Sequence, residues 1–144
     1  MNNILSLIIE SRKKKIELLK SNQKALESLV KKAKPVVSFN KAIKRDGKIS
    51  LIAEIKQASP SCGVLRKDFS CVQIAKMYEK SKVAAISVLT EEEFFLGKAG
   101  YMEDVKKETR LPVLRKDFIL DESQVWEARA IGSDAVLLIM RIFY

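Results

Sequence analysis

The spacing of apolar residues changes once along this chain, near residue 48. Before it, Ile4, Leu7, Ile8, Leu18, Leu19, Leu26, Leu29 and Val30 recur at helical intervals around a polar middle of Ser11 and Lys15. That pattern predicts amphipathic helix over residues 2–30. Pro35 interrupts any helix there, and residues 39–46 read as a further short helix closed by Gly47.

After residue 48 the apolar residues come in short runs. Ile49 to Lys56 (ISLIAEIK), Val83 to Thr90 (VAAISVLT), Pro112 to Lys116 and Asp134 to Met140 (DAVLLIM) have strand length. Helical patterns lie between them. Ser70 and Gln73 form a capping-box pair ahead of Ile74, Met77 and Tyr78. Lys98 to Arg110 is the next helix. Asp121 and Gln124 form a second capping box before Val125, Ala128 and Ile131, and Gly132 suits the helix end. The order is helices, then β-α-β-α-β-α-β. Strands apolar almost throughout, alternating with helices, predict a parallel sheet covered by helices with right-handed crossovers.

Two α/β architectures accommodate this order: an open doubly wound sheet or part of a (β/α)8 barrel. The loop after the first strand, Gln57 to Gly63, is not the GxGxxG of a dinucleotide site. That favours the barrel. The division expected is a basic helical extension over residues 1–48 and a partial barrel, strands one to four, over residues 49–144.

Composition narrows the function classes. Apolar residues make up 47% and charged residues 31%, which fits a soluble globular domain. No apolar run reaches the ~18 residues of a membrane span, and lysines and asparagines break up any signal-peptide core, so a cytoplasmic protein is expected. With no histidine, and with Cys62 and Cys71 lacking metal-type spacing, no metal is expected and the cysteines read as free thiols. The whole positive excess of +9 lies in residues 1–48. This segment has one aromatic, Phe39, and so lacks stacking groups for single strands. A solvated helical face is the preferred reading over a nucleic-acid or membrane partner; steering of an anionic substrate is a further use.

Candidate chemistry comes from a motif that occurs twice. LRKDF appears at Leu65–Phe69 and again at Leu114–Phe118. The first copy lies in the connection before the cap Ser70. The second ends the third strand, and the C-terminal ends of barrel strands are where chemistry sits. Lys116 is therefore the candidate, and Lys67 reads as a surface residue. Alternation puts Ile52, Glu54 and Lys56 on one face of the first strand, and Leu114, Lys116 and Phe118 on one face of the third. Lys56 and Lys116 are thus expected to share a pocket, with Glu54 one layer deeper. Two neighbouring ammonium groups repel, which eases loss of a proton and suits general acid–base work. They also suit a substrate carrying carboxylate and phosphate; a Schiff-base lysine is equally open at this point.

These residues carry a resemblance. Ile52-Ala53-Glu54-Ile55-Lys56 with Ala58-Ser59-Pro60-Ser61, Ile86 to Thr90 with Phe94-Phe95-Leu96-Gly97, and Leu111 to Ile119 are similar, in order and spacing, to the indole-3-glycerol-phosphate synthase family. The resemblance implies ring closure of 1-(2-carboxyphenylamino)-1-deoxyribulose 5-phosphate with loss of carbon dioxide and water, and no cofactor. It implies Lys116 as general acid, Lys56 contacting anionic groups and assisting proton transfer, and Glu54 orienting both. Ser59, Phe95, Phe118 and Leu137 match positions lining the substrate pocket. The isomerase acting on phosphoribosylanthranilate is the alternative barrel of the same pathway, but its chemistry is expected to use a Cys/Asp pair. The family barrel has eight units and about 250 residues, with further catalytic groups and the phosphate grip on its later strands. The chain is therefore expected to be a truncated half, inactive alone, and to pair with the missing C-terminal half or with itself. A non-catalytic half-barrel is the competing reading.

Overall fold

Three helices come first in the computed structural model, which describes residues 4–143: α1 (Ile4–Ser21), α2 (Gln23–Lys32) and α3 (Phe39–Ile43). Residues 2 and 3, expected in the first helix, and Tyr144 lie outside the described residues. The single long helix expected is two helices, broken at Asn22 with φ −107° and ψ 18°. The cause is local. Asn22 Nδ2 and Ser21 Oγ both donate to the Leu18 carbonyl, at 3.0 and 2.8 Å, and so compete with the helical ladder. The buried stripe of α1 is also rotated from the expected one. It runs Ile8, Arg12, Ile16, Leu19, while Ile4, Leu7 and Leu18 face water.

The sheet follows. Strands β1 (Ile52–Ile55), β4 (Ala85–Leu89), β5 (Val113–Lys116) and β6 (Ala135–Val136) are all parallel and lie side by side in chain order. A doubly wound sheet reverses its strand order at a switch point; here there is no reversal. Helices α4 (Cys71–Lys80), α5 (Gly100–Glu108) and α6 (Glu122–Ala130) make the crossovers. Ala53, Ile55, Ile86, Val88 and Val113 pack with Ile74, Ala75, Met102 and Val105 in one core. The alternate residues Ile52, Glu54, Leu114 and Lys116 face the other way and remain partly open. This is the arrangement of four consecutive strands of a (β/α)8 barrel and the three helices between them, with the helices outside and the barrel interior uncovered.

Capping follows the sequence pattern. Ser70 Oγ accepts the Gln73 amide at 3.3 Å. Asp121 accepts the Ser123 amide at 2.9 Å while Gln124 Oε1 accepts the Asp121 amide at 3.2 Å. Two features differ from expectation. A small hairpin, β2 (Ala58–Ser59) with β3 (Gly63–Val64), occupies the connection after β1, turning at Gly63 with φ 64°. The fourth sheet strand, expected over 134–140, is paired only at Ala135 and Val136, with flanking bonds from the Asp134 amide to the Val113 carbonyl and from the Leu137 amide to the Arg115 carbonyl. It has a neighbour on one side only, and that neighbour leaves the ladder at Asp117, whose carboxylate takes the next amide, that of Phe118. The chain then closes into a 3₁₀ turn, Met140–Ile142. Among the described residues no helix is long and apolar enough to cross a membrane.

Asp134 fastens the helical segment to the start of the sheet. Its buried carboxylate accepts the amides of Val37 and Val113, each at 2.8 Å, and pairs with Lys106 at 2.7 Å. Asp134→Ala strands these donors, so it is expected to cost about 1–3 kcal/mol in a denaturant titration. An unchanged midpoint would show the tether to be dispensable.

Candidate active site

Strand register decides which side chains meet. Glu54 lies opposite Ser87, and Ser87 opposite Leu114, in one row across β1, β4 and β5. Lys116 lies one row higher, opposite Leu89. Lys56, two residues beyond Glu54, belongs to that higher row on the same face. Two strand spacings of about 4.8 Å separate β1 from β5, so long side chains are needed to span the gap. They converge on Glu54: its Oε1 is 2.9 Å from Lys56 Nζ, and its Oε2 accepts from Lys116 Nζ. Glu54 thus sits one layer below the lysines, as expected. The lysines do not confront each other directly; the carboxylate lies between them. Burial raises the cost of ionising Glu54, but the hydrogen bonds and charges of Lys116 and Lys56 outweigh it and hold the carboxyl below its ordinary value of 4.5. One net positive charge remains on the cluster, at the C-terminal edge of the sheet, where it favours an anionic ligand.

An aromatic pair stands beside this cluster. The rings of Phe95 and Phe118 are 6.2 Å apart and tilted by 41°. Each is held by a carboxylate just before it in the chain. Glu91 folds the loop after β4 around itself, accepting the amides of Glu93, Phe94 and Phe95 at 3.1, 2.7 and 3.0 Å. Its own carbonyl takes the Gly97 amide at 2.7 Å, which brings Gly97 so close that a Cβ would lie 2.5 Å from the Leu89 carbonyl. Leu96, before it, is held at φ 52°, a region non-glycine residues avoid. Asp117 accepts the Phe118 amide at 2.8 Å and the Thr90 hydroxyl at 2.6 Å. The Phe95 carbonyl accepts the Ala58 amide, joining this loop to the hairpin after β1.

The remaining expected residues fall as follows. Leu137 continues the β6 register opposite Lys116, placing it on the face of the cluster. Ser59 sits in the hairpin, where its hydroxyl meets Ser61 Oγ at 3.4 Å and the Cys62 amide at 3.3 Å, and not the lysines. Lys67 is exposed, as are Arg66 and Asp68.

The sequence reading missed the α1 residues at this end of the sheet. Arg12, 3% exposed, pairs with Glu91 at 3.4 Å and Asp117 at 3.1 Å. Ser11 donates to Glu93, and Lys15 pairs with Glu92 at 2.9 Å. Lys20 pairs with Asp121 at 2.9 Å. Part of the basic surplus is therefore spent on carboxylates of the strand-end loops, and is not the wholly solvated face that was preferred. A signal existed: Arg12 lies in phase with Ile8, Ile16 and Leu19, and a charge on an apolar stripe needs a buried partner.

Comparison with known proteins identifies the family. The family model described as indole-3-glycerol phosphate synthase matches residues 5–144. The indole-3-glycerol phosphate synthase of Thermoanaerobacter sp. (strain X514) is 49% identical over 141 residues, covering 96% of this chain and 54% of that relative. Those of Caldanaerobacter subterraneus subsp. tengcongensis and Endomicrobium trichonymphae are 47% and 48% identical, covering 99% and 96% of this chain and 54% and 55% of theirs. The chain spans about half the length of these curated relatives.

The lowered Glu54 carboxyl makes a pH prediction. A carboxyl whose folded value lies below its unfolded one contributes stability that is fully present above the unfolded value, and that is lost as pH falls through the folded value. Wild type is therefore expected to lose stability below about pH 4.5 more steeply than Glu54→Gln. Parallel denaturation midpoints for the two proteins from pH 6 to about pH 3 would contradict the ionised bridge.

Proposed function

We propose a function from one premise: the chain belongs to the indole-3-glycerol phosphate synthase family. In the proposed reaction the aromatic ring carbon of 1-(2-carboxyphenylamino)-1-deoxyribulose 5-phosphate attacks the ribulose carbonyl carbon. A carbon–carbon bond forms, and carbon dioxide and water leave to give indole-3-glycerol phosphate. Lys116 acts as general acid, donating a proton to the carbonyl or the hydroxyl oxygen. Lys56 holds the anionic groups and assists proton transfer. Glu54 keeps both ammonium groups aimed at one point. Phe95, Phe118 and Leu137 form the apolar wall for the aromatic ring, and Ser59 borders it from the hairpin. Residues 1–48 act as the basic extension and residues 49–144 as a partial barrel, strands one to four. The observation that carries this reading is the Glu54 bridge between two lysines at the C-terminal ends of β1 and β5.

The partner proposed for the uncovered face is a C-terminal half-barrel, with self-association as the competitor in its absence. Both sheet edges support this. Ile49, Leu51 and Ile52 are exposed at or just before β1, and Leu138 and Met140 just beyond β6. Each large apolar side chain left in water forgoes about 1.5–3 kcal/mol, and open parallel edges invite pairing. The two free cysteines suit a cytoplasmic setting.

The test is indole-glycerol-phosphate formation, followed by fluorescence, on the chain alone and with a separately made C-terminal half. Turnover is expected only in the mixture. There Lys116→Ala should lower it by about 10²–10⁴-fold, the contribution of a positioned acid, while Lys67→Ala leaves it nearly intact. Equal losses in the two variants would remove Lys116 from the reaction. Turnover by the chain alone as a monomer would overturn the proposed division of labour.

A further inference from the structure

We infer that Arg12 is a positioning residue: through Glu91 and Asp117 it sets the backbone that carries the two aromatic walls, Phe95 and Phe118. This rests on the proposed pocket, but the contacts stand on their own. Arg12 Nη2 lies 3.4 Å from Glu91 Oε1, and Arg12 Nε lies 3.1 Å from Asp117 Oδ1. The same Oε1 takes the Glu93 amide and the same Oδ1 takes the Phe118 amide. One guanidinium therefore pairs by charge with two carboxylates on different loops, its Nε making no hydrogen bond, and each carboxylate fixes the main chain next to an aromatic ring.

The fork matters. Glu91 and Asp117 are 1% and 2% exposed, so two carboxylates are buried at the end of adjacent strands. Arg115 reaches Asp117 from behind the sheet, whereas Arg12 pairs with both carboxylates and offsets their repulsion across the loops after β4 and β5. An arginine can face both at once with separate nitrogens, whereas a lysine offers a single charged point. Arg12 pairs with the carboxylates that hold the main chain of both rings, so its effect on a ligand passes through loop geometry.

The experiment uses amide hydrogen exchange on the chain, and again with the C-terminal half added, so that ring closure is read in the same sample. Arg12→Met is compared with Lys20→Met, which breaks an ion pair of the same helix with Asp121. Arg12→Met should speed exchange at Phe94, Phe95 and Phe118 on the order of tenfold, a local opening that leaves Ile86 and Val113 in the sheet protected. Lys20→Met should leave all five amides unchanged. In the mixture Arg12→Met should raise KM more than it lowers kcat, because the lysine cluster is untouched. Should Arg12→Met fail to fold, Arg12→Lys keeps the charge and loses the fork; it should loosen the same three amides to a smaller degree. Unchanged exchange at those amides in whichever variant folds, or loosening shared equally with the sheet and with Lys20→Met, overturns the inference. Absence of ring closure in the wild-type mixture would instead strike the proposed function and leave the exchange result to decide on Arg12.

Discussion

A guanidinium that is 3% exposed has to be matched by charge, and Arg12 is matched twice. Much at the C-terminal edge of the sheet depends on that pairing. Arg115, fully buried behind the sheet, meets Asp117 at 3.1 Å, Glu127 at 2.7 Å and the Thr90 hydroxyl at 3.0 Å. Asp117 thus stands between two arginines, one from the N-terminal helix and one from its own strand. Such a network is a weak source of net stability, because desolvating the charges offsets most of their attraction; breaking one link leaves an unpaired buried charge and costs about 3–5 kcal/mol. Its consequence is definition. It joins α1 to the loops after both β4 and β5.

That constraint explains where reactive groups can stand. Behind the sheet, the charges of Arg115 and Asp117 are consumed by partners. On the open face, Glu54 faces two ammonium groups with only its two oxygens, and the cluster keeps a surplus of positive charge. A parallel sheet offers this asymmetry naturally, since alternate residues of one strand address different environments. The helix side selects apolar or fully paired residues; the interior side tolerates a charge that is balanced by a ligand.

What the sequence made legible was what short-range periodicity controls. Four apolar runs, the caps Ser70 and Asp121, and the inward phase of Glu54, Lys56 and Lys116 all follow from spacing. Periodicity left the barrel and the doubly wound sheet open, the missing glycine fingerprint and the family resemblance favoured the barrel, and the observed strand order then excluded the alternative. Long-range pairing was not legible. Arg12 sits in a lysine-rich run, and its partners lie about eighty and a hundred residues away. The break at Asn22 turns on side-chain bonds to a single carbonyl. The shortness of β6 reflects how far its neighbour β5 stays in the ladder, which its own apolar run does not record.

The repeated tetrad isolates this lesson. Arg66-Lys67-Asp68-Phe69 lies in irregular backbone, with no alternation to sort its side chains, and its three charged residues all face water. Arg115-Lys116-Asp117-Phe118 has the same letters at the end of a central strand. There the pleat sends Arg115 and Asp117 to the buried side, where each finds opposite charge, and turns Lys116 and Phe118 to the open side. Nothing in the four residues distinguishes the copies. The difference is the apolar run Leu111-Pro112-Val113-Leu114 before the second, whose burial against α5 and β4 fixes the phase of everything after it. The placement of Lys116 on the open face is a product of strand phase first and of residue type second, and its neighbours Arg115 and Asp117 serve the fold by occupying the positions that phase denies to solvent.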